Sequence, residues 1–145
     1  PESGGGEDVS DKMTAMINFA KSVENKYSYA QAPGRMDPES SGLTDCSGFV
    51  YYIYNRFYGI NVGTWTVEQN ERGTLIQHTS GALDESSMKI GDLIFYSWEG
   101  GRVDHVEMYI GNATILGHPG PGKGPNEKPI TWGSSAVYRN VRRYV

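Results

Sequence analysis

His105-Val106-Glu107-Met108-Tyr109-Ile110-Gly111-Asn112-Ala113-Thr114-Ile115-Leu116-Gly117-His118 reads as two strands folded around a turn. In an extended chain Val106, Met108 and Ile110 share one face, while His105, Glu107 and Tyr109 share the other. A two-residue loop at Gly111-Asn112 would pair Ile110 with Ala113 and, counted outward in step, His105 with His118. Directly opposed Cβ atoms stand about 4.5–5.5 Å apart, so this register makes the two imidazoles neighbours. A slip of one residue would send them to opposite faces.

Outward from this hairpin, the C-terminal half keeps to strand-like segments at 92–98, 104–111, 113–118 and 137–145. The N-terminal half is helical. Ser10 has the form of an N-cap, and Met13, Met16, Ile17, Ala20 and Val23 recur at helical spacing behind it. Residues 27–44 carry Pro33, Gly34, Pro38 and Gly42 and form a long loop of the kind that often bears function. A second helix follows over 47–58, with Phe49, Val50, Ile53 and Phe57 on one face and Gly59 as its stop. Thr66 and Gln69 have the form of a capping box that opens a short third helix before Gly73. Helices first and strands afterwards, joined by connections too short for crossover helices, give an α+β fold with N-terminal helices packed on a small antiparallel sheet.

The chain's 145 residues suit one domain. Residues 1–11 contain Gly4, Gly5 and Gly6 and the acids Glu2, Glu7, Asp8 and Asp11, a composition that reads as a linker to another domain, with the folded unit over 12–145. The net charge of −4 resides in that segment, because the acids outside it equal the 13 basic residues. Nothing in this balance resembles the basic footprint of a nucleic-acid binder. No apolar run approaches the roughly 20 residues needed to span a bilayer. A single cysteine excludes an internal disulfide and any zinc site built on two thiolates, and leaves a free thiol.

That thiol, Cys46, lies in Asp45-Cys46-Ser47-Gly48, directly before the second helix. A lone cysteine is ordinarily a small buried hydrophobe. Polar neighbours on both sides are odd company for such a role, and a helix start favours the thiolate, which is the nucleophilic form. A thiol nucleophile needs a base, and His105 is the candidate, with His118 as its orienter across the hairpin. The alternative for His105 is a surface strand residue, and for His118 a polar loop-edge residue. His105, His118 and Asp104 could also hold a zinc ion. His78 reads as solvated. Tyr27 and Tyr29 at the mouth of the loop, and Trp65 beside Thr64, suit either packing or a cleft wall. Arg139, Arg142 and Arg143 read as a solvated face.

Taken together, Asp45-Cys46-Ser47-Gly48-Phe49-Val50, Lys89-Ile90-Gly91-Asp92-Leu93-Ile94-Phe95 and His105-Val106 through Tyr109-Ile110-Gly111-Asn112 closely resemble the NlpC-type cysteine peptidases of bacterial cell-wall turnover, relatives of CHAP domains. The resemblance implies a papain-like core that cleaves amide bonds in peptidoglycan stem peptides without a metal or other cofactor. Carried over residue by residue, it places the nucleophile on Cys46, the base on His105 and a third polar residue on His118. The tyrosine before the cysteine falls on Tyr27 or, second to it, on Tyr29. Asp45 and Ser47 match residues that hold a substrate amine, and Trp65 joins them on the substrate side. Two departures stand out: Ala30-Gln31-Ala32-Pro33-Gly34-Arg35 replaces a glycine-rich stretch, and Glu107 occupies a position that is commonly small. The implied activity is a γ-D-glutamyl endopeptidase, with a muramoyl-alanine amidase of a phage lysin as the alternative. A wall-binding module without catalysis is the reading from another class. The resemblance further implies a monomeric module of an autolysin or lysin, tethered through the N-terminal segment and acting extracellularly or at the cell wall, secreted or phage-delivered.

Overall fold

The structure is a computed structural model that describes residues 9–145. Eight of the eleven residues expected as a linker therefore lie outside the described part, and the eleventh, Asp11, is already the first residue of a helix. That helix, α1 (Asp11–Ser22), is capped by Ser10, whose hydroxyl accepts the Met13 N–H at 3.1 Å. It buries Met13, Met16, Ile17 and Ala20. Then come β1 (Tyr27–Tyr29), the single turn α2 (Pro38–Ser41), β2 (Leu43–Thr44) and the central helix α3 (Cys46–Tyr58). Gly59 closes α3 in the left-handed region at φ 66°, its N–H returning to the Asn55 carbonyl. The segments expected to be one long loop thus contain two short strands, which pair with each other in parallel, and β1 also pairs antiparallel with β7 (Lys123–Gly124).

Helix α4 (Thr66–Arg72) forms as expected, but the capping box does not. Trp65 takes the N-cap position, Thr66 Oγ1 donates to the Val103 carbonyl at 3.2 Å, and Gln69 Nε2 donates to the carbonyls of Ser47 and Gly63. Both side chains serve long-range contacts, which displaces the local motif they spell.

The main sheet is six-stranded and antiparallel throughout. It runs β3 (Thr74–Thr79), β9 (Tyr138–Arg143), β4 (Leu93–Ser97), β5 (His105–Gly111), β6 (Thr114–Gly117) and β8 (Asn126–Pro129). The apolar face of β5 joins a core with α1 and α3, built from Met16, Phe49, Ile53, Leu93, Phe95, Val106 and Met108. Each such side chain contributes about 1.5–3 kcal/mol on burial. The other face is covered too, by a second cluster of Met88, Ile94, Tyr96, Tyr109, Ile115 and Val141. His105, Glu107 and Tyr109 therefore point away from the α3 core yet remain buried. The three arginines near the C-terminus are also structural, contrary to the solvated face expected of them. Arg139 is buried and donates to the Gly81 carbonyl, Arg142 donates to the Gly73 carbonyl, and Arg143 pairs with Asp92 at 2.8 Å.

The β5–β6 hairpin departs from the simple count. Its turn residues are Asn112 and Ala113, at φ 52° and 56°, closed by the pair Gly111 and Thr114. An irregularity at Ile110 then shifts the ladder, so that Tyr109 faces Ile115 and Met108 faces Leu116. Continued outward, this register sets Glu107 against Gly117 and His118 at the level of Val106, one position short of His105, the partner expected for it.

Candidate active site

Cys46 is the first residue of α3, where its backbone N–H has no acceptor within the helix. Asp45 is the N-cap, its Oδ1 accepting the Gly48 N–H at 2.8 Å. Gly48 is required there, because a Cβ would sit 2.6 Å from the Arg35 carbonyl oxygen. The thiol is 6% exposed and borders a cavity of about 350 Å³, whose wall includes Arg35, Asp45, Ser47, Trp65 and Arg102.

His105, at the start of β5, stands outside that wall and is 5% exposed. Its ring is boxed by Tyr96, Trp98 and Trp132, with centroid separations of 5.6, 6.0 and 5.1 Å. These aromatics are not singled out by the sequence, since Tyr96 and Trp98 come from the end of one strand and Trp132 from a segment more than thirty residues further on. Nε2 of His105 lies 2.6 Å from Oε2 of Glu107, which is fully buried. Oε1 of the same carboxylate forms an ion pair with Lys128 Nζ at 3.0 Å. Burial alone would push the His105 pKa down, but the interactions with Cys46 and Glu107 outweigh it and hold the imidazole up at about 9. The imidazole therefore carries its proton at neutral pH. Lys128, Glu107, His105 and Cys46 form a row in which a cation alternates with an anionic or acidic group.

Room for the Glu107 carboxylate exists because the facing residue is Gly117. A Cβ at Gly117 would stand 2.6 Å from Glu107 Oε1. The sequence signal was present in Glu107 itself, an acid where a small residue is usual, but its partner Gly117 was hidden by the hairpin count.

His118, expected to orient His105, is occupied elsewhere. It is fully buried, with Nε2 3.2 Å from the Gly122 carbonyl and its ring edge-on to Tyr29 at 5.3 Å. Nδ1 has no hydrogen-bond partner among the described residues. Burial lowers its pKa, which favours the neutral ring. Tyr27, expected to meet substrate, is instead 3% exposed and packs edge-on against Tyr52 in the core. The neighbouring Tyr29 lies closer to the chemistry, its pKa raised first by burial and then by the charges of Cys46 and Asp45. Asp45 and Ser47 do border the cavity, and Oδ1 of Asp45 and the Ser47 hydroxyl are already engaged. Arg35 Nη1 donates to Asp45 Oδ1 at 3.0 Å and to Ser47 Oγ at 3.1 Å. Trp65 is 44% exposed on the cavity wall, with the Arg102 guanidinium 5.5 Å from its ring centre. Among the described residues no three His, Cys, Asp or Glu side chains are grouped to hold a metal ion, and no helix is long and apolar enough to cross a membrane.

The chain and its fold have counterparts among known proteins. The sequence profile of the NlpC/P60 family matches residues 24–139. Protein P54 of Enterococcus faecium is 35% identical over 119 residues, covering 80% of this chain and 21% of that protein. A γ-D-glutamyl-L-lysine dipeptidyl-peptidase of Bacillus cereus is 33% identical over 104 residues, 70% of this chain and 29% of that protein. The chain thus spans under a third of these relatives. In three dimensions, the NlpC/p60 domain of the peptidoglycan hydrolase SagA superposes with a TM-score of 0.65 at 27% identity, over 91% of this chain and 98% of that domain.

Proposed function

Because this chain belongs to the NlpC/P60 family, with its papain-like α+β fold, we propose that it is a peptidoglycan hydrolase domain that cleaves an amide bond within wall stem peptides. The observation that carries the proposal is the series Cys46, His105, Glu107: a helix-start thiol, an imidazole held protonated, and a buried carboxylate 2.6 Å from the imidazole's Nε2.

The chemistry follows from the protons. The Cys46 sulfur, as thiolate, attacks the amide carbon, and the carbonyl oxygen becomes an oxyanion near the unpaired N–H at the start of α3. His105 gives its proton to the departing nitrogen, so the C–N bond breaks and an amine leaves, with a thioester on Cys46. The neutral imidazole then takes a proton from water as the water oxygen attacks the thioester. Collapse expels the thiolate beside the imidazolium formed in that step and releases the acid, which returns the site to its starting state. One water is consumed. Glu107 holds the ring orientation and stabilises its charge throughout, the part that sequence assigned to His118. Tyr96, Trp98 and Trp132 keep water from competing for the charges.

The γ-D-glutamyl bond is the proposed point of cleavage, supported by the name of the Bacillus cereus relative. Action on peptidoglycan also sets the place of work, at or outside the cell wall. Mass spectrometry of fragments released from purified sacculi, run beside Cys46→Ala, tests the reading. New peptide ends inside the stem, absent with Cys46→Ala, are the expected result. Free lactyl ends with intact stems would overturn the endopeptidase assignment in favour of an amidase, and release that survives Cys46→Ala would overturn the mechanism.

A further inference from the structure

The wall beside the nucleophile contains a buried carboxylate, Asp45, of the kind that could receive a substrate ammonium group. It is 3% exposed, and its Oδ1 and the Ser47 hydroxyl both accept from one nitrogen of Arg35. The other terminal nitrogen of Arg35 donates to the Thr64 carbonyl at 2.6 Å. The backbone is held as well, since Thr44 Oγ1 donates to the Arg35 carbonyl at 2.9 Å, and that carbonyl lies over the Cα of Gly48. Arg35 is thus fixed at both ends on the start of α3, with its side chain 21% exposed. A guanidinium keeps its charge at any pH the protein survives. Where an amine would dock, the cleft presents a cation.

We infer that Arg35 makes this cleft reject stem peptides with a free N-terminal amine and accept those whose N-terminus is acylated. An ammonium ion could reach Asp45 Oδ1 only by displacing Arg35, and at Oδ2 of the same carboxylate it would stand beside the guanidinium, where like charges brought together at an interface discriminate strongly. An acylated nitrogen carries no charge, and its carbonyl is an acceptor. Arg35 has donors left for it, because three of its five N–H groups are taken by Asp45, Ser47 and Thr64. The other charged groups on this wall, Arg102 and Asp104, are one of each sign and do not restore a demand for an amine. In peptidoglycan the acylated N-terminus is the stem still joined to its lactyl group, so the substrate is the intact wall. The domain then acts as an endopeptidase within the sacculus and not as a trimming enzyme on released peptides. This inference rests on the peptidoglycan reading above.

Two preparations of one material separate the outcomes: intact sacculi, and the same sacculi treated beforehand with a muramoyl-alanine amidase, which frees the stem amines without opening the cross-links. Cleavage of the stem is counted by mass spectrometry for the unaltered protein, Arg35→Ala and Arg35→Lys. The unaltered protein should cleave the acylated stems at least about tenfold faster, Arg35→Lys should keep that preference, and Arg35→Ala should shift it by about tenfold or more toward free-amine stems. Equal rates or a free-amine preference in the unaltered protein overturns the inference and leaves the peptidase reading in place. So does an unchanged ratio in a folded Arg35→Ala whose two rates fall together, since that is the mark of a merely structural arginine. Absence of Cys46-dependent cleavage from both preparations overturns the peptidase reading itself.

Discussion

The two faces of β5 are equally buried and are built by opposite means. On one, Val106, Met108 and Ile110 meet α1 and α3 through shape alone. On the other, His105 and Glu107 lie as deep, and their charges are balanced in series by Lys128 on one side and Cys46 on the other. Alternating polar and apolar residues ordinarily mark a strand with one wet face. Here the polar face is dry, and its polarity is that of the proposed catalytic series.

The largest difference between the faces should appear in Glu107→Gln, which preserves volume and removes the charge. Turnover of sacculi should fall by about 10²–10⁴-fold, the range associated with a triad's orienting carboxylate and general acid–base catalysis. The same variant should move the alkaline limb of the pH profile to lower pH. In the unaltered protein activity should be lost as pH rises through about 9, where His105 is expected to give up its proton. The sign is the same for stability: a raised histidine pKa stabilises the fold fully below its unfolded value of about 6.5 and progressively less up to about 9. Removing Glu107 should narrow that window. An unshifted limb would mean that the carboxylate does not support the imidazolium.

Met108→Ala on the opposite face should do the reverse, costing about 2–5 kcal/mol of stability in denaturant unfolding while activity per folded molecule changes little. A large fall in turnover with intact stability would erase the distinction between the faces. The smallest effect is expected of His118→Gln. With His118 bonded to Gly122 and not to His105, turnover should drop by less than about tenfold, or about 1.4 kcal/mol of barrier. A loss matching that of Glu107→Gln would return the orienting role to His118.

How much of this was legible depends on the kind of signal. Helices α1 and α3 announce themselves through period, cap and stop residues, and β4, β5, β6 and β9 through runs that bury on both sides. Cys46 and His105 could be placed because each begins an element. The outer strands could not. β3 is half-exposed, and β8, Asn-Glu-Lys-Pro, has the composition of a turn and exists because β6 offers it an edge. The irregularity at Ile110 leaves no trace in composition, yet it sets Gly117 rather than a larger residue against Glu107, the proposed third member of the site. Arg35 was visible only as a departure from a glycine-rich pattern. Its target is set by the fold, which closes the loop of residues 30–42 onto the start of α3.

The pair Glu107 and Gly117 carries a consequence for inheritance. The carboxylate belongs to one strand and the space it fills belongs to the next, ten positions along the chain. A side chain gained at residue 117 collides with Glu107, while a small residue gained at 107 leaves His105 without its anion and Lys128 without its counterion. Each single step leads downhill in fitness, so the two positions are expected to pass between lineages as one unit, and a library that varies them independently should return this pairing or another intact one, with few survivors between.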